Sequence, residues 1–151
     1  LIDTTDLMPR ALRDMITSRL VQQRDGLLVL FESFAFKRGV PTDADFVFDA
    51  RALPNPYWQD KLRSQTGLDT EVIQFLERDA RCLAYFAELK DFIARVLRDF
   101  DESDRSYMTI AIGCTGGQHR SVYLTEKLHR DLITQFPAAQ IRHRDLQEAG
   151  S

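Results

Sequence analysis

Three side chains that can bind or attack a phosphate lie close together in the sequence: the thiol of Cys114, the imidazole of His119 and the guanidinium of Arg120. Three glycines fall in the same stretch, and a glycine-rich turn lets backbone N–H groups point toward one anion. A helix that starts after the turn adds its unpaired N–H groups and the positive end of its dipole. The stretch therefore predicts an anion site. A turn built only for packing explains the glycines but not the crowded polar side chains.

Positioning these groups requires a strand before the turn and a helix after it. Residues 107–112 are mostly apolar or β-branched and carry no charge, which is typical of a buried strand. A helical pattern begins near His119 and is closed by Pro137. The turn is therefore expected to join the carboxyl end of a central strand to the start of a helix.

The rest of the chain alternates between helical and extended patterns. Helices are predicted over residues 6–24, 70–76 and 81–100, and strands over 27–34, 46–51 and 140–144. This alternation predicts an α/β fold with a mainly parallel sheet sandwiched by helices.

Composition excludes several classes of protein. The 151 residues carry a net charge of −3 and are 44% hydrophobic, which favours one folded domain and gives no overall attraction for nucleic acid or anionic membranes. No apolar run is long enough to span a membrane and no signal peptide is visible, so a cytoplasmic protein is expected. Cys82 and Cys114 make neither a disulfide framework nor a zinc motif.

A charged pair and an aromatic loop are candidates for the wall of a binding site. Asp49 and Arg51 end the second strand, and residues 53–58 follow with two prolines that predict no helix. An ordinary surface ion pair explains Asp49 and Arg51 equally well. Lys37 and Arg38 lie in a turn after the first strand, where a solvated turn is the simpler interpretation.

The spacing of Cys114, Gly117 and Arg120 resembles the phosphate cradle of cysteine-dependent phosphatases. In those enzymes a thiolate at a helix N-terminus attacks phosphorus, while the arginine holds the phosphoryl oxygens. Candidate general acids are Asp49, Asp101 and Asp104. The chain departs from that pattern because Gly113 replaces the usual histidine before the cysteine. We therefore prefer to interpret Cys114 as a small buried residue at a strand end.

The stretch from Gly113 to Val122 resembles more closely the signature of the RapZ/YvcJ family, the bacterial RNase adapter proteins. Further motifs of the family occur in the right order along nearly the whole chain. They are residues 31–39, 43–45, 48–51, 53–58, 66–68 and 142–144. The match is more specific than one glycine-rich loop.

The resemblance implies the C-terminal domain of a two-domain protein. Residues 1–24 would then be a linker or helix that follows a P-loop domain, residues 25–146 the ligand- and RNA-binding domain, and residues 147–151 a flexible tail. The sequence has no P-loop motif, so ATP or GTP is expected only in the other domain and no cofactor in this one. The implied fold is similar to a sugar-phosphate-binding subdomain of phosphofructokinase.

The resemblance also implies partners and site residues. The partners are an aminosugar phosphate, a small regulatory RNA and an endoribonuclease, with no membrane, and a homo-oligomer is expected. The implied ligand pocket comprises Cys114, Thr115, Gly116, Gly117, His119, Arg120 and Ser121, walled by Asp49, Arg51, Tyr57 and Arg105. The implied RNA-binding residues are Lys37, Arg38, Lys127, Arg130, Arg142, His143 and Arg144.

Two departures weaken the RNA part of this expectation. The tail after Arg144 is acidic, whereas the RNA-binding members have Lys/Arg-rich tails, and Gln118 stands where some members carry a lysine. The resemblance therefore implies a regulatory domain that senses an aminosugar phosphate, relays its occupancy to RNA or protein partners and is not an enzyme. The alternatives left open are a cysteine-dependent phosphatase and an RNA-binding module that senses no metabolite.

Overall fold

The computed structural model describes residues 26–103 and 105–146. Seven regular elements follow one another along this part of the chain. The strands are β1 (Leu28–Ala35), β2 (Phe46–Asp49), β3 (Tyr107–Cys114) and β4 (Gln140–His143), and the helices are α1 (Thr70–Glu77), α2 (Ala80–Asp101) and α3 (Arg120–Leu132). The helix predicted over residues 6–24, the predicted tail and Asp104 lie outside the described residues.

The four strands form one all-parallel sheet in the order β2-β3-β1-β4. In the central pair, Leu28 faces Tyr107 at the amino end and Ala35 faces Cys114 at the carboxyl end. The predicted α/β fold with a mainly parallel sheet is confirmed. Parallel strands buried on both faces carry near-continuous apolar runs, which is why β1 and β3 were recognisable in the sequence.

The hydrophobic core lies between one face of the sheet and the three helices. Alternate residues of β1 and β3 point into it, as expected from the two-residue period of a strand. The fully buried members from the sheet are Val29, Phe31, Met108, Ile110 and Ile112, and those from the helices include Val72, Leu76, Ile93, Leu97, Leu124 and Leu128. This packing fixes the strands whose carboxyl ends carry the candidate site.

The chain turns in opposite directions as it leaves β1 and β3. From β1 it continues toward β2, and from β3 it continues through α3 toward β4. Ligand sites of open parallel sheets usually lie at the carboxyl ends of neighbouring strands whose connections leave in opposite directions, so this end of β1 and β3 is the place to look for a site.

The segment after β2 differs from its sequence-based expectation. Its prolines predict no helix, yet Pro56–Trp58 form one turn of 3₁₀ helix. Pro56 takes the first position of that turn, where its fixed φ fits and its missing N–H has no partner to lose. Across the described elements, no helix combines the length and apolar composition that crossing a membrane requires.

Candidate ligand-binding site

A cavity of about 340 Å³ lies at the carboxyl edge of the sheet. It is bounded by the turn after β1, the loop after β2 and the loop between β3 and α3. The lining residues are Lys37, Asn55, Tyr57, Trp58, Cys114, Thr115, Gly116, Gln118, His119 and Arg120. Its volume falls within the range of about 300–1,000 Å³ that is typical of small-molecule sites.

Two glycines shape the floor of the cavity in different ways. Gly117 has a φ of +67°, and a Cβ atom there would lie 2.9 Å from the backbone nitrogen of Ala35. A Cβ atom on Gly116 would meet nothing closer than the Nζ atom of Lys37 at 4.0 Å. Gly117 is therefore required for the close approach of the loop to β1, whereas Gly116 leaves open space beside an ammonium group.

Helix α3 directs its amino end toward the loop. His119 takes the N-cap position without a side-chain bond to the first turn, and the N–H of Ser121 donates to Sγ of Cys114 at 3.4 Å. The N-terminus of α3 and the positive end of its dipole therefore lie at the loop, which is the arrangement that the sequence predicts for an anion site.

The thiol of Cys114 ends strand β3 in a buried position. Only 2% of the residue is exposed, and its Sγ atom lies 3.1 Å from Oγ of Ser121. The thiol borders the cavity and is held by the helix start. The second cysteine, Cys82, is buried in the core, where desolvation raises its pKa to about 11.

The guanidinium of Arg120 bonds backbone carbonyls of the loop after β2, so it is not a free ligand for an anion. Its Nη1 atom donates to the carbonyl oxygens of Arg51 at 2.8 Å and Leu53 at 2.9 Å. The residue is only 4% exposed, and its Nε atom has no hydrogen-bond partner among the described residues. The guanidinium therefore fixes the loop after β2 while it lines the cavity, which differs from a free phosphate clamp.

His119 makes a similar contact with the next part of that loop. Its Nε2 atom lies 3.0 Å from the carbonyl oxygen of Leu62. A carbonyl only accepts, so Nε2 carries the hydrogen in this bond. Burial lowers the pKa of His119, although the bond to Leu62 acts in the opposite direction. The imidazole therefore joins the start of α3 to the backbone at Leu62 and is not a free cation.

Gln118, the residue before His119, also bonds the loop after β2. It was not among the site residues predicted from the sequence. Its Nε2 atom donates to the carbonyl oxygens of Arg63 at 3.1 Å and Gln65 at 2.8 Å. Its own carbonyl accepts from the N–H of Gly67 at 2.9 Å. Three consecutive side chains, Gln118, His119 and Arg120, therefore bind five carbonyls of residues 51–65; we call them the anchor triplet. Only their adjacency at the helix start could have signalled this role.

Tyr57 and Trp58 form an aromatic wall of the cavity that the glycine loop also lines. Their rings meet edge to face at 5.3 Å, and they are 46% and 73% exposed. Asn55 supports the turn because its Oδ1 accepts from the N–H of Tyr57. Arg63 lies over the Tyr57 ring at 4.9 Å and donates to the Tyr57 carbonyl. Trp58 and Asn55 were missing from the predicted pocket, although the proline-rich aromatic run had indicated a binding wall.

Asp49 and Arg51 form a bidentate ion pair beside the cavity rather than lining it. The Arg51 side chain holds the pKa of Asp49 below its usual range, chiefly through these hydrogen bonds. The Arg51 guanidinium also lies 3.8 Å above the ring of Phe36. The pair therefore braces the turn after β1 against the end of β2.

Arg105 is not part of the site. It precedes β3, pairs with Asp45 and donates to the carbonyl of Tyr107. The eight residues of β3, about 26 Å at 3.3 Å per residue, separate it from the glycine loop. The sequence-based placement of Arg105 in the pocket wall is wrong because Arg105 lies at the amino end of β3, whereas the cavity lies at the carboxyl end.

The predicted RNA-binding bases do not form one free face. Lys127 lies between Glu77 and the ring of Phe86 on the helical side. Two others lie in β4, where Arg142 pairs with Glu32 and His143 bonds Ser33 and Glu126. Arg144 follows β4 and pairs with Asp145, and Arg130 contacts Asp131 in the last turn of α3. The side chains of Arg142, His143 and Arg144 are only 12–15% exposed, whereas that of Arg130 is 70% exposed. Most of these charges are therefore used inside the fold.

Lys37 and Arg38 are exposed in a 3₁₀ turn after β1. Lys37 lines the cavity, and its N–H faces the carbonyl of Thr115 at 3.4 Å. Thr115 is itself exposed at the rim. The structure thus brings a cation predicted for RNA into the candidate ligand site. Across residues 26–103 and 105–146, no group of three His, Cys, Asp or Glu side chains could hold a metal ion.

Comparison with known proteins gives a match along almost all of the described chain. The family model of the RapZ C-terminal domain matches residues 27–147. A nucleotide-binding protein of Cellvibrio japonicus is 47% identical over 148 residues, covering 97% of this chain and 50% of the relative. One from Marinobacter nauticus is 50% identical over 146 residues, covering 96% of this chain and 50% of the relative. One from Pseudomonas putida, named for the ptsO 5′ region, is 50% identical over 146 residues, covering 96% and 51%. The chain therefore spans about half the length of these relatives.

Proposed function

Since the chain belongs to the family of the RapZ C-terminal domain, we propose that it is a regulatory domain that senses an aminosugar phosphate such as glucosamine 6-phosphate. The observation that carries this proposal is the pairing of two unlike walls across one cavity. The glycine loop and Lys37 line one part of the cavity, and the aromatic pair Tyr57 and Trp58 lines another. We expect the backbone N–H groups of the loop and the ammonium of Lys37 to bind an anion.

The phosphate would lie against the glycine loop. The open space above Gly116, the ammonium of Lys37 and the amino end of α3 converge there. A dianionic group gains charge-assisted hydrogen bonds from such donors, and these are roughly twice as strong as neutral ones. Arg120 would contribute its charge from behind the loop, since its Nη1 atom bonds two carbonyls and its Nε atom is buried.

The sugar ring would lie against the aromatic wall. Tyr57 and Trp58 offer apolar ring surface with polar edges, and Asn55 lies beside them on the same turn. A ligand that joins a phosphate to an amphipathic ring therefore matches both walls, whereas free phosphate matches only one. The anchor triplet holds the two walls at a fixed separation because it bonds the glycine loop to residues 51–65.

We propose that occupancy of this cavity is relayed to RNA and to an endoribonuclease. The support is that Lys37 lines the cavity and its neighbour Arg38 is exposed, so a bound anion would change the electrostatic field at both cations. Arg130 adds an exposed cation on α3. Because most of the other predicted bases are paired inward, we expect the isolated domain to bind RNA weakly and to need self-association for tight binding.

The nucleotide-binding names of the relatives describe proteins about twice as long as this chain. We propose that ATP or GTP binding belongs to the part of those relatives that this chain does not match. No cofactor is proposed for this domain, and its function would be regulatory rather than enzymatic.

A cysteine-dependent phosphatase is the second candidate. It is favoured by the position of Cys114 at the start of α3, where its Sγ atom contacts Ser121. Against it, the guanidinium of Arg120 is occupied by the carbonyls of Arg51 and Leu53. The geometry therefore supports binding better than turnover.

Calorimetric titration tests the proposed function directly. Glucosamine 6-phosphate, glucosamine and inorganic phosphate are titrated separately into the domain. We expect the sugar phosphate to bind most tightly, phosphate more weakly and glucosamine weakest, since only the first engages both walls. Equal affinity for the sugar phosphate and inorganic phosphate would show that the aromatic wall does not contact the ligand. If neither ligand binds, the cavity is not a phosphate site.

A further inference from the structure

Arg144 and Asp145 hold both ends of the 3₁₀ turn that carries Lys37. Before the turn, the N–H of Ala35 donates to Oδ2 of Asp145 at 2.7 Å. After the turn, Nη2 of Arg144 donates to the carbonyl oxygen of Gly39 at 2.6 Å. The guanidinium of Arg144 also donates twice to the same Oδ2 atom, at 2.8 and 3.1 Å. We call this pair of residues the clamp.

The clamp is buried and fixed from several sides. The side chains of Arg144 and Asp145 are 12% and 5% exposed. The guanidinium carbon of Arg144 lies 5.7 Å from the ring centre of Phe34, and the Arg144 N–H donates to the carbonyl of Ser33 at 3.0 Å. Charges in such a position are poorly screened by solvent, so their hydrogen bonds are stronger than those of a surface pair.

The clamped turn faces the cavity on its other side. Lys37 lines the cavity, and its ammonium would lie 4.0 Å from a Cβ atom built on Gly116. Gly39 closes the turn with a φ of +97° and donates its N–H to the carbonyl of Phe36. The Arg51 guanidinium above the Phe36 ring and the bond from the Lys37 N–H to the Thr115 carbonyl also hold the turn. A turn of three residues has little stability of its own, so its conformation depends on these contacts and on the clamp at its ends.

We propose that Arg144 and Asp145 are positioning residues, which fix the Phe36–Arg38 turn so that the ammonium of Lys37 reaches the phosphate end of the cavity. Arg144 thereby serves the ligand site through Lys37 rather than contacting an RNA backbone. The identity of the ligand rests on the proposed function, whereas the clamp is a property of the fold that can be tested without ligand.

The first experiment measures amide hydrogen exchange of residues 35–39 by mass spectrometry in the absence of ligand. Arg144→Ala is compared with Arg95→Ala, which removes an equally charged side chain that is 61% exposed on α2. We expect exchange in this segment to become about tenfold faster in Arg144→Ala, the factor that corresponds to losing one charge-assisted bond, and to stay unchanged in Arg95→Ala. Equal exchange rates in the two variants would show that Arg144 does not hold the Phe36–Arg38 turn.

Asp145→Asn provides a milder variant if Arg144→Ala does not fold. It keeps one oxygen acceptor for the Ala35 N–H but removes the charge that pairs with Arg144. We expect intermediate exchange rates at residues 35–39. Rates equal to those of the unmodified protein would overturn the role of the ion pair.

The second experiment is a double-mutant cycle with glucosamine 6-phosphate as the probe. Lys37→Ala and Arg144→Ala are each expected to weaken binding by about tenfold. Because Arg144 acts through Lys37, the double variant should bind no more weakly than Lys37→Ala alone. Additive losses would overturn the positioning role. If the unmodified domain binds neither the sugar phosphate nor inorganic phosphate, the proposed function fails and the exchange experiment alone decides the clamp.

Discussion

The Nη1 atom of Arg120, at the start of α3, lies 2.9 Å from the carbonyl oxygen of Leu53 and donates a hydrogen bond to it. This bond joins the glycine loop to the segment that carries the aromatic wall. A cation chosen in the sequence as a phosphate ligand therefore also fixes the geometry of the cavity. Ligand affinity and loop stability are expected to change together when this side chain is altered.

Replacing Arg120 with alanine is the direct test of that dual role. The variant loses two charge-assisted bonds from a buried group, so we expect the free energy of unfolding to fall by about 3–6 kcal/mol, at about 1.5–3 kcal/mol for each bond. Affinity for glucosamine 6-phosphate should fall several-fold to a hundredfold. Urea denaturation and calorimetry measure the two effects, with Arg95→Ala as the control for loss of charge. Unchanged ligand affinity would remove Arg120 from the site.

The two glycines of the loop provide a matched pair of variants. Gly117→Ala places a Cβ against the backbone of Ala35 at a positive φ, which costs roughly 1–2 kcal/mol from the left-handed conformation alone. We expect lower thermal stability and loss of ligand binding. Gly116→Ala meets only open space beside Lys37, so its thermal stability should match that of the unmodified domain. Equal unfolding temperatures for both variants would contradict the loop geometry.

Trp58→Ala separates sugar recognition from phosphate recognition. Trp58 is the single tryptophan of the chain, lies on the cavity wall and is 73% exposed. Because the ring is expected to contact the sugar only, affinity for glucosamine 6-phosphate should fall by about fivefold, whereas affinity for inorganic phosphate stays constant. Calorimetry of both ligands measures the difference. A parallel loss for both ligands would argue against an aromatic sugar platform.

His119 makes the stability of the domain depend on pH. Burial lowers its pKa below the ordinary value of about 6.5, so the unfolded chain binds more protons than the folded one in this range. The stability contributed by neutral His119 is therefore fully present above about pH 6.5 and is lost as the pH falls toward the lowered pKa. His119→Gln keeps a donor for the Leu62 carbonyl without titrating.

We expect the urea midpoint of His119→Gln to vary less between pH 7.5 and pH 5 than that of the unmodified domain. His129→Gln is the control, because it alters another imidazole that bonds a backbone carbonyl and leaves His119 intact. Identical pH profiles for the His119 variant and the unmodified domain would show that His119 does not titrate with folding.

Cys114→Ser distinguishes a sensor from a phosphatase. In the sensor the thiol only ends β3 beside Ser121, so the variant should bind glucosamine 6-phosphate almost as the unmodified domain does. Neither protein should release phosphate from an aryl phosphate. Alkylation of Cys114 at pH 7 should be slow because the residue is 2% exposed. Phosphate release above background that disappears in Cys114→Ser would establish the enzyme.

The fold could be predicted from the sequence because the pattern that identifies each helix or strand lies within that element. The apolar runs of β1 and β3 and the helical stripe of α2 each depend on the period of one element, and tertiary packing reinforced them. The glycine loop was equally recognisable, since a strand, glycines and a helix start follow one another directly. The 3₁₀ turn at Pro56 was missed because the position of a proline within a turn decides whether it is tolerated.

The orientation of the polar side chains could not be predicted from the same signals. The roles of Gln118 and His119 depend on carbonyls more than 50 residues away in sequence. Arg105 was assigned to the pocket wall from the family resemblance, although its position before the strand predicted over residues 107–112 already indicates the amino end of that strand. Arg144 has the composition of a phosphate-binding base, yet the neighbouring Asp145 neutralises it within the fold.

The pairing of Ala35 with Cys114 also has a consequence for the order of folding. The turn after β1 and the glycine loop after β3 are distant along the chain, so the floor of the cavity cannot form before the slow, non-local joining of these two strands. A ligand that contacts both segments binds only when the two central strands are paired, so it stabilises the folded state by mass action. Ligand occupancy would then lengthen the lifetime of the whole domain, not just order one loop.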